Sequence, residues 1–192
     1  HHTFFAITEP SGGSDPAGAI QSRGVKRGDH WVLNGTKMFI SHADEAEWGV
    51  VFVRTDASKG RAGISCFILD KGTPGFTARP IRTIRTVSVP CEVALEDCRV
   101  PAENLLGEEG RGLDLSFDLL TRLRFPYSAC NLGVAVAAHR MAIAHAKQRS
   151  TFGVPLSQRQ AIQWMLADAE VELRAARWLI WEGAWKADRG ED

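Results

Sequence analysis

The sequence predicts an α+β protein: an antiparallel sheet or barrel followed by long antiparallel helices that make part of a helical bundle. Three observations carry this. Up to about Val100, short apolar runs alternate with turn clusters at intervals too short for intervening helices. Beyond Gly112, alanine becomes frequent and Pro126 is the only proline before Arg149. Further on, apolar residues recur at helical spacing on more than one face.

The elements follow in order. Phe4-Phe5-Ala6-Ile7-Thr8 is apolar and of strand length, and it ends in a Pro/Ser/Gly cluster. Arg27-Gly28-Asp29 separates two further strands. Asn34-Gly35 is a two-residue hairpin signal, because both residue types tolerate positive φ. Trp48 to Val53 and Gly63 to Leu69 are continuous apolar runs, and Lys71-Gly72-Thr73-Pro74-Gly75 is a turn. Ser157-Gln158-Arg159-Gln160 has the spacing of a capping box opening the last helix. Beyond it Ile162, Met165, Leu166, Ala169, Leu173 and Ala176 form one stripe, and Trp178, Trp181 and Trp185 form another. Two helices with several apolar faces cannot cover each other, so further helices, a partner chain or both are expected.

Composition excludes several classes. With 23 basic and 23 acidic residues the chain has no surplus charge for nucleic acid. No stretch approaches the roughly twenty apolar residues needed to span a bilayer, so no membrane partner is expected. Cys66, Cys91, Cys98 and Cys130 have neither CxxC pairing nor ligand spacing, which points to a reducing compartment and no metal site. His1-His2-Thr3-Phe4 lacks the features of a signal peptide and begins almost inside a strand, as a piece of a longer chain would.

Some residues could carry chemistry. Thr8-Glu9-Pro10-Ser11-Gly12-Gly13-Ser14-Asp15 gathers glycines and hydroxyls after a strand, suited to a flavin or phosphate, though a surface turn has the same composition. Phe39 could lie against a planar cofactor or belong to the core. Arg149 has a helix-dipole reading and Gly153 that of a helix C-cap. Gln160 has its place in the capping box, and Arg124, beside Arg122, is a solvated or ion-pairing charge.

At these residues the chain resembles the acyl-CoA dehydrogenase family. Phe5 to Asp15 is similar to its first signature, an aromatic residue leading into T-E-P-x-x-G-S-D. Asn34 to Ser41 is similar to N-G-x-K-x-[WF]-I-[TS]. Glu96 to Gly112 resembles the linker from β domain to helices. Arg149 to Gly153 with Gln160 resembles R-x-x-F-G…Q. The four matches occur in order across nearly the whole chain. The resemblance implies an antiparallel β-barrel domain at 1–105 and the first two helices of a C-terminal four-helix bundle at 106–192, with the N-terminal helical domain and last helices absent.

It also implies FAD as cofactor and an acyl-CoA thioester as substrate, desaturated between Cα and Cβ with electrons passed to an electron-transfer flavoprotein. Phe5, Ile7, Thr8 and Ser14 would contact the flavin, and Phe39, Ile40 and Ser41 would flank its ring. Arg149, Phe152 and Gln160 belong to the signature whose Arg149 and Gln160 reach a neighbouring subunit's FAD. Ser14, Thr121 and Arg124 would meet the acyl-CoA, although Thr121 replaces the acidic residue usual there. The catalytic base is expected outside this chain, since Leu123 occupies its alternative position. At Ile84 to Pro90 only Ser88 matches the usual G-x-R-x-S-x-T. A homo-oligomer, dimer or tetramer, is implied, in the cytoplasm or in the mitochondrial matrix of a eukaryote. The alternatives are a non-catalytic subunit and an acyl-CoA oxidase or flavin monooxygenase of the same fold.

Overall fold

The computed structural model describes residues 2–84 and 89–191. Two compact units divide the chain, His1–Phe117 and Asp118–Asp192. The mixed α+β class of the sequence reading is what the structure contains.

The first unit is a sheet built from β1 (Thr3–Ala6), β2 (Arg23–Arg27), β3 (His30–Ser41), β4 (Trp48–Arg54), β5 (Ile64–Asp70), β6 (Phe76–Pro80), β7 (Pro90–Pro101) and β8 (Leu105–Leu106). The hydrogen-bonded path runs β6-β7-β3-β2-β4-β5-β8, with β1 also on β4. It is an open path, so "barrel" describes it only loosely. Most pairs are antiparallel, whereas β1 lies parallel to β4. The β2–β4 link is a single parallel pair, Arg23 with Arg54.

The apolar runs of β4 and β5 are continuous because both of their faces are buried. Val51, Val53, Phe67 and Leu69 face one core with Trp31 and Leu33. Phe52, Ile64 and Cys66 face a second with Ile20 and Leu113. Each large side chain so buried contributes roughly 1.5–3 kcal/mol. Burial also pushes the Cys66 thiol up to about 12 and the Cys98 thiol up to about 11. Neither is a nucleophile near neutral pH. Of the four free cysteines only Cys130 is exposed. Iodoacetamide is therefore expected to add one label to the folded chain, on Cys130, as read by peptide mass spectrometry.

Asn34-Gly35 is not the expected hairpin. β3 continues through it, and the β3–β7 register shifts between Leu33 and Gly35. Pairing with β7 on one side and β2 on the other overrides the local turn preference. Gly35 serves a close approach instead, since a Cβ there would lie 2.6 Å from the Ser22 Cα. Asn34 clamps the bulge: its Nδ2 donates to Asp97 Oδ1 at 3.0 Å, and its Oδ1 accepts from the Asp97 N–H at 2.8 Å. The turn expected at Gly28 is present, with φ +64° between β2 and β3.

α1 (Pro16–Ala19) is a single turn capped by Asp15, whose Oδ1 accepts from the Gly18 N–H at 3.1 Å. α2 (Gly112–Gln148) begins in the first unit and continues through the second, carrying Pro126 inside it. Its first turn holds Asp114, which pairs with Arg111 at 2.7 Å and Arg61 at 3.1 Å.

In the second unit, α2 leads through β9 (Ser150–Thr151) and β10 (Val154–Pro155) into α3 (Gln160–Asp188). The Phe125 ring lies beside Gly183, and His139 Nε2 sits 3.4 Å from Glu170 Oε2. These pairings run in opposite senses along the two helices, so the helices are antiparallel, as the sequence predicts. The capping box is not formed. Arg159 is the N-cap of α3 without a side-chain bond, and the Ser157 carbonyl accepts from Gln163 Nε2 at 2.8 Å. A 3-10 turn at Leu156–Gln158 displaces Ser157 from the capping position. Gly153 is likewise no helix cap. With Phe152 it forms the two-residue turn joining β9 to β10, both at positive φ (52° and 80°), as type I′ geometry requires.

Large apolar side chains stay exposed on both helices, among them Met141, Trp164, Met165, Trp178, Trp181 and Trp185. This matches the sequence expectation of helices with more apolar surface than they can share. Among the described residues no helix is long and apolar enough to cross a membrane.

Candidate functional site

The loop after β1 and the distal half of β3 are joined by three bonds. The Met38 N–H donates to the Thr8 carbonyl at 2.9 Å. Lys37 Nζ donates to Glu9 Oε1 at 2.7 Å and reaches the Ile7 carbonyl at 3.5 Å. Glu9 is 4% exposed and Lys37 0%, so the pair is inside the protein.

The Glu9 carboxylate is fully used. Oε1 also accepts from the Ser22 hydroxyl at 2.6 Å and the Ser22 N–H at 3.0 Å, and Oε2 accepts from the Gln21 N–H at 2.6 Å. The backbone of Glu9 closes the loop as well: it exchanges hydrogen bonds with Gly12 at 3.2 and 3.1 Å. Burial works against ionisation of Glu9, but the Lys37 charge and the bonds from Lys37, Ser22 and Gln21 outweigh it and hold the carboxyl below its ordinary range. Burial pushes Lys37 down to about 8, with Glu9 opposing that shift.

A carboxyl lowered on folding stabilises the fold above its ordinary value of 4.5, and that stabilisation is lost as pH falls through the lower folded value. Acid is therefore expected to destabilise the β unit through Glu9. A titration of Tm against pH should be shallower below pH ~4.5 in a Glu9→Gln/Lys37→Met variant than in the parent.

Around this staple lie the residues singled out from sequence. Thr8 is half-buried, and Ser14 is exposed. Phe5 and Ile7 pack against the second core, Phe5 with its ring 4.9 Å from that of Phe52. Phe39 is 61% exposed, with φ at 61°, and stands in the register shift between Lys37 and Ile40. An aromatic residue in that backbone region is uncommon, and such conformations cluster at functional sites. Ser41 is exposed, but the Ile40 side chain belongs to the first core, leaving only its backbone available to a ligand.

The helical residues are described within their own unit. Thr121 and Arg124 are exposed on α2, and Leu123 between them is half-buried. Arg149 directly follows α2, Phe152 is 99% exposed at the tip of the β9–β10 turn, and Gln160 is the exposed first residue of α3. The Arg159 guanidinium braces that turn, donating to Thr151 Oγ1 at 3.2 Å and lying 5.8 Å from the Phe152 ring centroid. Between α2 and α3 runs a groove of about 870 Å³ lined by small and apolar residues, including Ala135, Ala138, Ala169, Leu173 and Ala176. Among the described residues no group of His, Cys, Asp or Glu is placed to hold a metal ion. Ser88 lies outside the described residues.

Glu9, Lys37 and Ser22 had no site role in the sequence reading. A signal was present: Lys37 directly precedes the apolar Met38-Phe39-Ile40 inside one signature, and a buried lysine requires a counter-charge.

The acyl-CoA dehydrogenase middle domain matches residues 4–98, and the acyl-CoA dehydrogenase C-terminal domain matches residues 110–192. The short-chain specific acyl-CoA dehydrogenase of Clostridium acetobutylicum is 39% identical over 189 residues, covering 97% of this chain and 49% of the relative. The structure of butyryl-CoA dehydrogenase from Megasphaera elsdenii superposes with a TM-score of 0.94 at 39% identity, over 99% of this chain and 50% of that one. A chain in the structure described as the electron transferring flavoprotein of Acidaminococcus fermentans superposes at 0.95 with 41% identity, over 100% and 51%. This chain belongs to the acyl-CoA dehydrogenase family. It spans about half the length of the curated relatives it matches.

Proposed function

We propose that this chain is the flavin-facing portion of an FAD-dependent acyl-CoA dehydrogenase that desaturates an acyl-CoA thioester and passes electrons to an electron-transfer flavoprotein. The observation that carries the reading is the buried staple. It ties the loop that begins at Thr8 to the stretch of β3 that carries an exposed Phe39, in the two segments similar to the family's signatures.

The residues present fit a planar, weakly charged ring. An exposed aromatic and several hydroxyls are offered, while the charged pair within the staple is buried and satisfied. Thr8, Ser14 and Ser41 would hold the flavin by hydrogen bonds, and Phe5, Ile7, Phe39 and the Ile40 backbone would limit where its ring lies. Bound FAD supplies the hydride acceptor. Ser14, Thr121 and Arg124 would orient the thioester. Arg149, Phe152 and Gln160, exposed around the β9–β10 turn, would meet the FAD of a second copy, in a homodimer or homotetramer.

Leu123 has no group that removes a proton, so the base that takes the α-proton lies elsewhere in the protein. That residue also supports a second reading, a subunit that keeps the fold and the cofactor without turning over substrate. The compartment is the cytoplasm, or the mitochondrial matrix of a eukaryote.

Anaerobic addition of short-chain acyl-CoA thioesters to the full-length protein, followed by absorbance, tests the assignment. The oxidised flavin bands are expected to bleach within the mixing time for one chain length. Flavin bands that no thioester bleaches favour the non-catalytic subunit, and a folded protein without flavin overturns the cofactor assignment.

A further inference from the structure

A buried ion pair is a costly way to stabilise a fold, because desolvation offsets most of the attraction and an apolar pair of similar size often serves as well. Glu9 and Lys37 therefore call for an explanation other than stability. Their connections supply one. The Glu9 backbone closes the loop onto Gly12, its carboxylate is held by Gln21 and Ser22 at the approach to β2, and Lys37 ties it to the middle of β3. Two positions beyond Lys37 stands Phe39, and one position before Glu9 stands Thr8, whose carbonyl accepts from Met38.

Resting on the flavin reading above, we infer that Glu9, Lys37 and Ser22 are positioning residues that lock the 8–14 loop and the Phe39 bulge into one cofactor-facing surface. None of the three needs to touch the flavin. Each acts through the backbone of Thr8, Gly12 or Met38. The charged form suits this role because four donors from two separate segments converge on a carboxylate carried by a third, fixing a register that apolar contacts leave free to slide.

The test uses the full-length protein and the Glu9→Gln/Lys37→Met variant. That variant keeps one acceptor oxygen, for either Gln21 or Ser22, leaves the other backbone N–H facing the amide –NH2, leaves no lone buried charge, and cuts the link to β3. Three quantities are read: Tm, amide exchange at Gly12 and Met38, and FAD affinity with the shape of the bound flavin bands. The expected result is a Tm lowered by less than in Glu9→Ala, exchange at those two amides faster by about tenfold, and FAD affinity weaker by about tenfold with altered bands.

Unchanged exchange and unchanged affinity in a folded variant overturn the inference. If the parent binds no FAD, the flavin reading fails, and amide exchange in the apoprotein still decides whether the pair orders the loop. Should the double variant not fold, Ser22→Ala, which retains the ion pair, carries the test. Exchange at Met38 is expected to rise about two- to threefold, and no change there overturns the inference.

Discussion

Glu9→Ala is expected to lower the stability of the β unit by about 3–5 kcal/mol. The substitution leaves the Lys37 ammonium at 0% exposure with only the Ile7 carbonyl, 3.5 Å away, as partner. It also removes the acceptor for the Gln21 N–H, the Ser22 N–H and the Ser22 hydroxyl. Buried donors without partners carry their full desolvation penalty, which is why truncating one member of such a network costs more than replacing both. Urea unfolding followed by exchange of the β3–β7 ladder amides measures the loss without interference from the helical tryptophans. The same experiment on Glu9→Gln/Lys37→Met should give a smaller loss, about 1–3 kcal/mol, because no charge is stranded and only one backbone N–H loses its acceptor. A Glu9→Ala cost below about 1 kcal/mol would mean that water reaches Lys37 and that the pair is not buried in solution.

Chemistry spread along consecutive residues was legible in the sequence, and chemistry assembled across the fold was not. The strand runs at Trp48–Val53 and Gly63–Leu69 are legible because burial on both faces leaves apolar residues almost throughout, with Ser65 the exception, its hydroxyl bonded to Thr55 and Gly110. Asn34-Gly35 misled because its local preference for a turn is worth less than the ladder bonds β3 makes on both sides. The capping box misled for a similar reason: the β9–β10 turn, with Phe152 and Gly153 at positive φ, fixes where the chain arrives before α3 starts. Among the proposed site residues, Phe39 and the Thr8–Ser14 loop can be named from their motifs. That Ile40 turns inward while Phe39 turns out depends on the register shift against β7, which no local pattern encodes. The Glu9–Lys37 pair spans 28 positions and became visible only when β3 was laid beside the loop.

Gly63→Ala is expected to cost about 3 kcal/mol, at the upper end for overpacking by a single methyl. A Cβ at Gly63 would lie 1.8 Å from the Asp56 carbonyl oxygen, and backbone cannot rotate away as a side chain can. The two strands of chain are held at that distance from both ends, because the Gly63 carbonyl accepts from the Thr55 N–H at 2.8 Å and the Asp56 N–H at 3.1 Å. Relief therefore requires breaking those bonds at the junction of β4 and β5. The consequence extends further along the chain. Ser65, two residues on, shares a 2.7 Å hydrogen bond with Thr55 and accepts the Gly110 N–H at 2.9 Å, fixing the linker that leads into α2. Gly112 packs on the same backbone, with a Cβ there 2.7 Å from the Ser65 carbonyl carbon. Loss at Gly63 should accordingly appear as faster exchange at Gly110 together with a lowered Tm. A Gly63→Ala chain with unchanged Tm and a protected Gly110 amide would show that the Asp56 loop yields without disturbing the start of α2.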